Sequence, residues 1–302
     1  MASSTASPAI VREEIRPGQS PVHPVPGGGH GAVDRGAAWA GAAVAALLSA
    51  AIYLGSRRLM DFDAMLVGYA VATVVMAFGL TYRSVTWARN PPTRRVLATS
   101  VRAAAASPPR ATGAALRNLA LQAFIRRRGI KRWLAHQSLM WGVLLAAAVT
   151  FPLTFGWVRF GAVPGRPTAY AAYVLGLRMG TFDTRSLAGW LTFHVLSVAA
   201  VLVLAGCGYF GLRRLRPAQG PADRRAAFHL GPLAVLAAIS LTGLALTVSA
   251  ELLEGRFYRP LALVHMIVVG VGLVALPFGK LFHPLQRPVA VGVGLTREQD
   301  AS

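Results

Sequence analysis

The chain has 302 residues, 54% of them hydrophobic and only 14% charged, with a formal net charge of +20. A soluble domain carries about a quarter charged residues, and here the apolar residues run in long blocks, which excludes an ordinary water-soluble globule and implies an integral membrane protein with several spans. The positive charge falls between those blocks, where it sets topology and meets anionic lipid; it does not signal nucleic acid.

In chain order, residues 1–36 are rich in Pro, Gly and Ser ("VHPVPGGGHG") and predict a disordered tail in which His23 and His30 are solvated. The tail lacks the charged start and immediate apolar run of a signal peptide. Two N-terminal spans follow within 37–80, at about 37–54 and 62–80. The first is rich in small residues ("AGAAVAALLSAAI"), which suits close helix packing. Residues 81–133 form a basic loop, and the stretch 81–134 holds twelve basic residues and no acid. It predicts two short interfacial helices broken at Pro108 and Pro109, set against anionic lipid and able to dock a cytoplasmic subunit. A four-helix core is expected over 134–284, with spans near 134–157, 187–212, 230–250 and 260–282, and residues 285–302 form a second tail. The expected fold is an all-α bundle of about six transmembrane helices.

Lys and Arg orient it. The 81–134 stretch, the connection holding Arg213, Arg214, Arg216, Arg224 and Arg225, and the C-terminal end are basic. The alternate connections hold eight basic residues offset by Asp61, Asp63, Glu251 and Glu254. The basic segments and both termini are therefore expected in the cytoplasm, in a multi-pass protein of the cell membrane.

Histidines carry the chemistry. His265 and His283 are eighteen residues apart in the last apolar block. On one helix that is five whole turns and about 27 Å, so both rings would leave the same face, one near each membrane surface. Placed by depth, His194 joins His265 at the outer level, and His136 and His229 join His283 at the inner level, where His229 stands just before its span. Ionisable side chains within spans are functional candidates, and a buried imidazole needs a ligand or a hydrogen-bond partner. Two or three histidines per level, without acids, are too few for a zinc cage. Haem needs only two axial ligands, and facing histidines in a bundle core suit haem b. No C-x-x-C-H is present for covalent attachment. The single cysteine, Cys207, holds neither a disulfide nor an iron–sulfur cluster, so any cluster belongs to a partner chain. The expected axial ligands are His136, His194, His265 and His283, for two haems or one.

The last block, with His265, His283 and "LPFGKLFHP", resembles the last helix of the respiratory nitrate reductase gamma subunit family, which includes the cytochrome b subunits of membrane heterodisulfide reductase and of the sulfite-reduction-associated membrane complex. "RRRGIKRWLAHQSLMWGVLL" resembles that family's first ligand helix, and the likeness spans roughly 126–290. The resemblance implies an electron-transfer subunit that exchanges electrons between membrane quinone and a cytoplasmic iron–sulfur partner. The gamma subunit carries a second histidine ten residues after the first on that helix; here the position is Ala146, so the likeness points away from nitrate reduction itself. On this reading Glu251 and Glu254, in "SAELLEGRFYRP", are candidates to exchange protons with quinol. A transporter with proton-relaying histidines and a haem-free membrane anchor stay open as alternatives.

Overall fold

The computed structural model describes residues 33–106, 108–115, 120–126, 128–215 and 230–279. The expected tails, except residues 33–36, lie outside these residues, as do His229 and His283. The chain from Arg35 onward is a compact unit, mostly helical.

In order it forms α1 (Arg35–Gly55), α2 (Val67–Arg89, entered through a 3-10 turn at Ala64–Leu66), α3 (Pro91–Ala106), α4 (Pro108–Ala115), α5 (Ala123–Arg126) and α6 (Ile130–Thr154). Three strands follow, β1 (Val158–Val163), β2 (Arg166–Val174) and β3 (Leu177–Asp183), then α7 (Leu187–Leu215), α8 (Gly231–Leu252) and α9 (Tyr258–Ala275). Pro91 and Pro108 open α3 and α4, where a missing N–H costs no hydrogen bond. Among the described residues, six helices are long and apolar enough to cross a membrane: α1, α2, α6, α7, α8 and α9. Their large apolar side chains point outward, for instance Leu47, Val71, Leu241 and Val271. That is the reverse of a water-soluble bundle, and it makes the chain a multi-pass membrane protein.

The main helix contacts run α1 to α2, α2 to α9, α9 to α8, α8 to α7 and α7 to α6. Small residues let the backbones approach, because helices in lipid associate by close packing. Gly142 of α6 faces the Ala199 carbonyl and Val203 of α7, and Gly206 of α7 faces the Ala135 carbonyl and Leu139 of α6.

The three strands were not expected. They form an antiparallel meander in the order β1-β2-β3. Pro164-Gly165 turns β1 into β2, with Gly165 at φ 74°. Leu175 and Gly176 both have positive φ and close the second hairpin, as a tight two-residue turn requires. One face gathers Phe160, Tyr170 and Phe182 against Phe193 of α7, with Tyr170 and Phe193 ring centroids 5.2 Å apart. The sheet also clamps the α1–α2 turn. Asp61 accepts from Arg57 Nε and Nη2, both at 2.7 Å, and pairs with Arg159 of β1 at 2.9 Å. Beside it, Trp157 Nε1 donates to the Ala51 carbonyl at 3.1 Å. The Arg57 hydrogen bonds, with Arg159 adding its charge, hold the Asp61 carboxyl below the usual carboxylate range.

The last span also differs from its expected course. A continuous helix to residue 282 would align His283 with His265. Instead α9 ends at Ala275 and passes into a turn over 276–278. Pro277 has no N–H and its ring crowds the carbonyl four residues back. The turn is captured by α2: Arg83 Nη1 donates to the Pro277 carbonyl at 2.5 Å, and Gly79 leaves room for the proline ring. Helical phase from His265 is therefore lost eight residues before His283.

Candidate functional site

His265 sits two turns into α9, where α9 meets α8. Its Nδ1 lies 2.8 Å from Thr242 Oγ1, and that oxygen lies 2.8 Å from the Ala238 carbonyl and 3.1 Å from the Ile239 carbonyl. A hydroxyl has one proton. Given to the helix carbonyls, it leaves the oxygen to accept from Nδ1–H; placed toward the imidazole, it would leave two oxygens 2.8 Å apart with none between them. The proton of a neutral His265 is thereby assigned to Nδ1, and Nε2 keeps its lone pair. Gly243 lies against the ring on α8, and Tyr69 of α2 flanks it at 6.2 Å.

His194 sits two turns into α7 and is stacked on Trp190, with centroids 4.8 Å apart and planes 9° apart. Its Nδ1 is 2.9 Å from the Trp190 carbonyl. A carbonyl only accepts, so Nδ1 carries a proton. Its Nε2 lies 3.3 Å from Glu251 Oε1 at the end of α8. One further proton serves both groups: it makes an imidazolium beside a carboxylate, or a carboxylic acid donating to a neutral imidazole. Glu254, three residues further on, is exposed in the α8–α9 turn at φ 51°. Glu251 is thus the carboxylate that reaches a histidine.

His136, near the start of α6, meets Phe210 of α7 edge-on at 6.3 Å.

These three histidines stand at three heights. Contacts from Ser197 to Thr247 (3.2 Å) and from Cys207 to the Leu233 carbonyl (3.6 Å) register α7 against α8 in opposite directions. Glu251, the partner of His194, and Thr242, the partner of His265, are nine residues apart on α8, about 13 Å of rise. Phe210, beside His136, is sixteen residues beyond His194 on α7, about 24 Å. His194 therefore lies at the end that carries the sheet, His265 in the middle and His136 toward the other end. Metal–imidazole bonds are about 2 Å long, so two axial imidazoles on one iron stand about 4 Å apart. The structure does not bring His194 and His265 together in that way. Taken singly, His265 fits an axial ligand: metal-binding histidines donate the other ring N–H to a fixed acceptor, which sets the tautomer and aims the lone pair. Among the described residues, no three His, Cys, Asp or Glu side chains form a metal cage.

Sequence reasoning singled out His265, His194 and Glu251 but missed how they are held. Thr242 carries the most useful missed signal. It is a polar side chain within the apolar run "LAAISLTGLALTV", and such a group calls for a partner. The Asp61 clamp left a weaker trace, an acid in a turn that also holds Arg57 and Arg58. Compared with family models, curated proteins and solved structures, the chain matches none.

Proposed function

We propose that the chain is a b-type cytochrome of the cell membrane, the haem-bearing anchor of a multisubunit oxidoreductase. It passes electrons between a quinone pool and a cytoplasmic iron–sulfur subunit. The observation that carries this reading is His265, placed mid-span with Nδ1 tied to Thr242 and Nε2 left as the lone-pair nitrogen. The likeness of 126–290 to the nitrate reductase gamma family supports it, as does the lone Cys207, which leaves clusters to a partner. His265 and His136 are the ligands proposed within the described residues; His283 completes the set outside them, with His229 as its competitor for the inner position. His194 is left out, because its Nε2 is turned to Glu251. Bound haem supplies one-electron chemistry, while the chain supplies ligation, orientation and exclusion of water. The basic face, with both termini, is assigned to the cytoplasm and the sheet to the outer side.

The test is a dithionite-reduced minus oxidised spectrum and a pyridine haemochrome assay on purified protein. The expected result is b-type haem, two per chain or one, with loss of at least one in His265→Ala. Absence of haem after expression with ample haem supply would overturn the reading in favour of a transporter or a haem-free anchor.

A further inference from the structure

We propose that His194 and Glu251 form a one-proton acceptor that takes a hydroxyl proton from a quinol at the sheet end of the bundle. The proposal rests on the cytochrome reading for its substrate class and on the geometry of the pair for its chemistry. Nδ1 of His194 is committed to the Trp190 carbonyl, so only Nε2 can exchange a proton, and Glu251 Oε1 is 3.3 Å from it. Without the extra proton the pair is a neutral imidazole beside a carboxylate, with net charge −1. With it the pair is neutral, whichever atom holds the proton. When a quinol O–H bond breaks toward the pair, the proton passes to it and the negative charge passes to the quinol oxygen. Total charge is unchanged, and the quinolate left behind gives up electrons more readily than the quinol.

The surroundings suit a flat diol arriving from lipid. The indole of Trp190 stacks on the imidazole and is itself 47% exposed, beside Leu191 at 48%. These give an apolar rim on which an aromatic ring can lie. The side chains of His194 and Glu251 are 30% and 50% exposed, so neither is sealed inside the bundle. Nearby ionisable groups are Asp183 and Arg185 ahead of α7, and Glu254, Arg256, Tyr258 and Arg259 in the α8–α9 turn and the start of α9. Asp183 is already engaged by Thr168 Oγ1 at 2.6 Å and the Arg185 N–H at 2.8 Å. His194 is also about 13 Å along α8 from the level of His265, so proton and electron would leave the quinol by separate routes.

The experiment compares wild type, Glu251→Gln, His194→Gln and the double variant, all purified with haem. One readout is the rate of haem reduction by a short-chain naphthoquinol across pH. The other is labelling of Glu251 by dicyclohexylcarbodiimide, which attacks protonated carboxyls, with and without the oxidised naphthoquinone. Each single variant is expected to slow quinol-driven reduction at least tenfold, within the usual range for a lost acid–base group. The double variant should be no slower than the slower single, because the two act as a unit. Haem content and dithionite reduction should stay unchanged, and the naphthoquinone should shield Glu251 from the carbodiimide. Quinol rates within twofold of wild type would overturn the proposal. So would loss of haem in His194→Gln, which would make His194 an axial ligand. If no preparation holds haem, the cytochrome reading falls, and the shielding experiment alone decides the pair: absence of shielding overturns it.

Discussion

Thr242 on α8 and His265 on α9 are joined at 2.8 Å, and the threonine is held in turn by the carbonyl of Ala238 one turn before it. The chain of contacts fixes a tautomer as well as a position. Removing the hydroxyl while keeping the shape, in Thr242→Val, frees the imidazole to rotate and to move its proton. Loss of such a supporting hydrogen bond commonly weakens a metal site about 10- to 100-fold. Thr242→Val is therefore expected to lose haem from the His265 site during gel filtration, and Thr242→Ser to keep it. Haemochrome assay before and after the column reads this out. Equal retention in both variants would mean that the hydroxyl does not orient a ligand.

Asp61 links the α1–α2 turn to β1, and its effect depends on charge. Its carboxyl is held below the ordinary range, mainly by the hydrogen bonds from Arg57. A depressed folded value makes a stabilising contribution that is complete above the unfolded value of about 3.9 and is lost as pH falls through the lower folded value. The clamp should hold at neutral pH and open only in acid. Asp61→Asn should open it at any pH, exposing the Arg159–Phe160 bond of β1 to trypsin several times faster at pH 8. Trp157, hydrogen-bonded to Ala51 beside the clamp, supplies a fluorescence signal for the acid transition. A wild-type transition centred above pH 5 would contradict the assignment to Asp61.

What could be read from the sequence followed from what lipid imposes. Six apolar blocks gave six spans, because a helix is the structure that satisfies its own backbone in a bilayer. The sheet was written in the same chain: "VPGRP" is a turn, and "RPTAYAAYVLGLRMGTF" alternates around a second one. Its strands were overlooked because the segment was read only as a connection between two spans. Pro277 was equally visible, and its position should have ended the last helix before His283. The heights of the histidines were not accessible in the same way. His194 and His265 each lie two turns into their own helices, yet α7 extends beyond α8, and only contacts such as Ser197 with Thr247 reveal the offset. Counting from helix ends cannot supply the register between helices.

Gly142 marks a close approach of α6 to α7. A Cβ there would lie 2.9 Å from both the Ala199 carbonyl oxygen and Val203 Cγ2. Backbone oxygen cannot turn aside as a side chain can. Gly142→Val should therefore push the helices apart and cost about 1–3 kcal/mol, typical of overpacking, with Gly142→Ala milder. Thermal unfolding in detergent, followed by circular dichroism, should show the midpoint falling in that order. A valine variant as stable as wild type would mean that the pair packs less closely than these distances imply.

The orientation of the bundle is open to a direct test, because the chain has a single cysteine and Cys207 is buried within α7. Wild type should give no background with a membrane-impermeant maleimide, so a new exposed cysteine reports its own side. Arg166 at the start of β2 and Arg102 in α3 are both exposed and belong to segments that differ in how far acids offset their basic residues. Residues 81–134 carry twelve basic residues and no acid. The connections at the sheet end hold eight basic residues against five acids, Asp61, Asp63, Asp183, Glu251 and Glu254. Basic segments stay in the cytoplasm during insertion. Arg166→Cys should therefore label in intact cells, and Arg102→Cys only after the cells are opened. With that orientation the quinol site proposed at His194 and Glu251 would release its proton outside, and its electrons would travel inward against about 2.3 kcal/mol per charge for each 100 mV. The reverse labelling pattern would place the same proton acceptor on the cytoplasmic side, and the electrons would then leave toward the outer face.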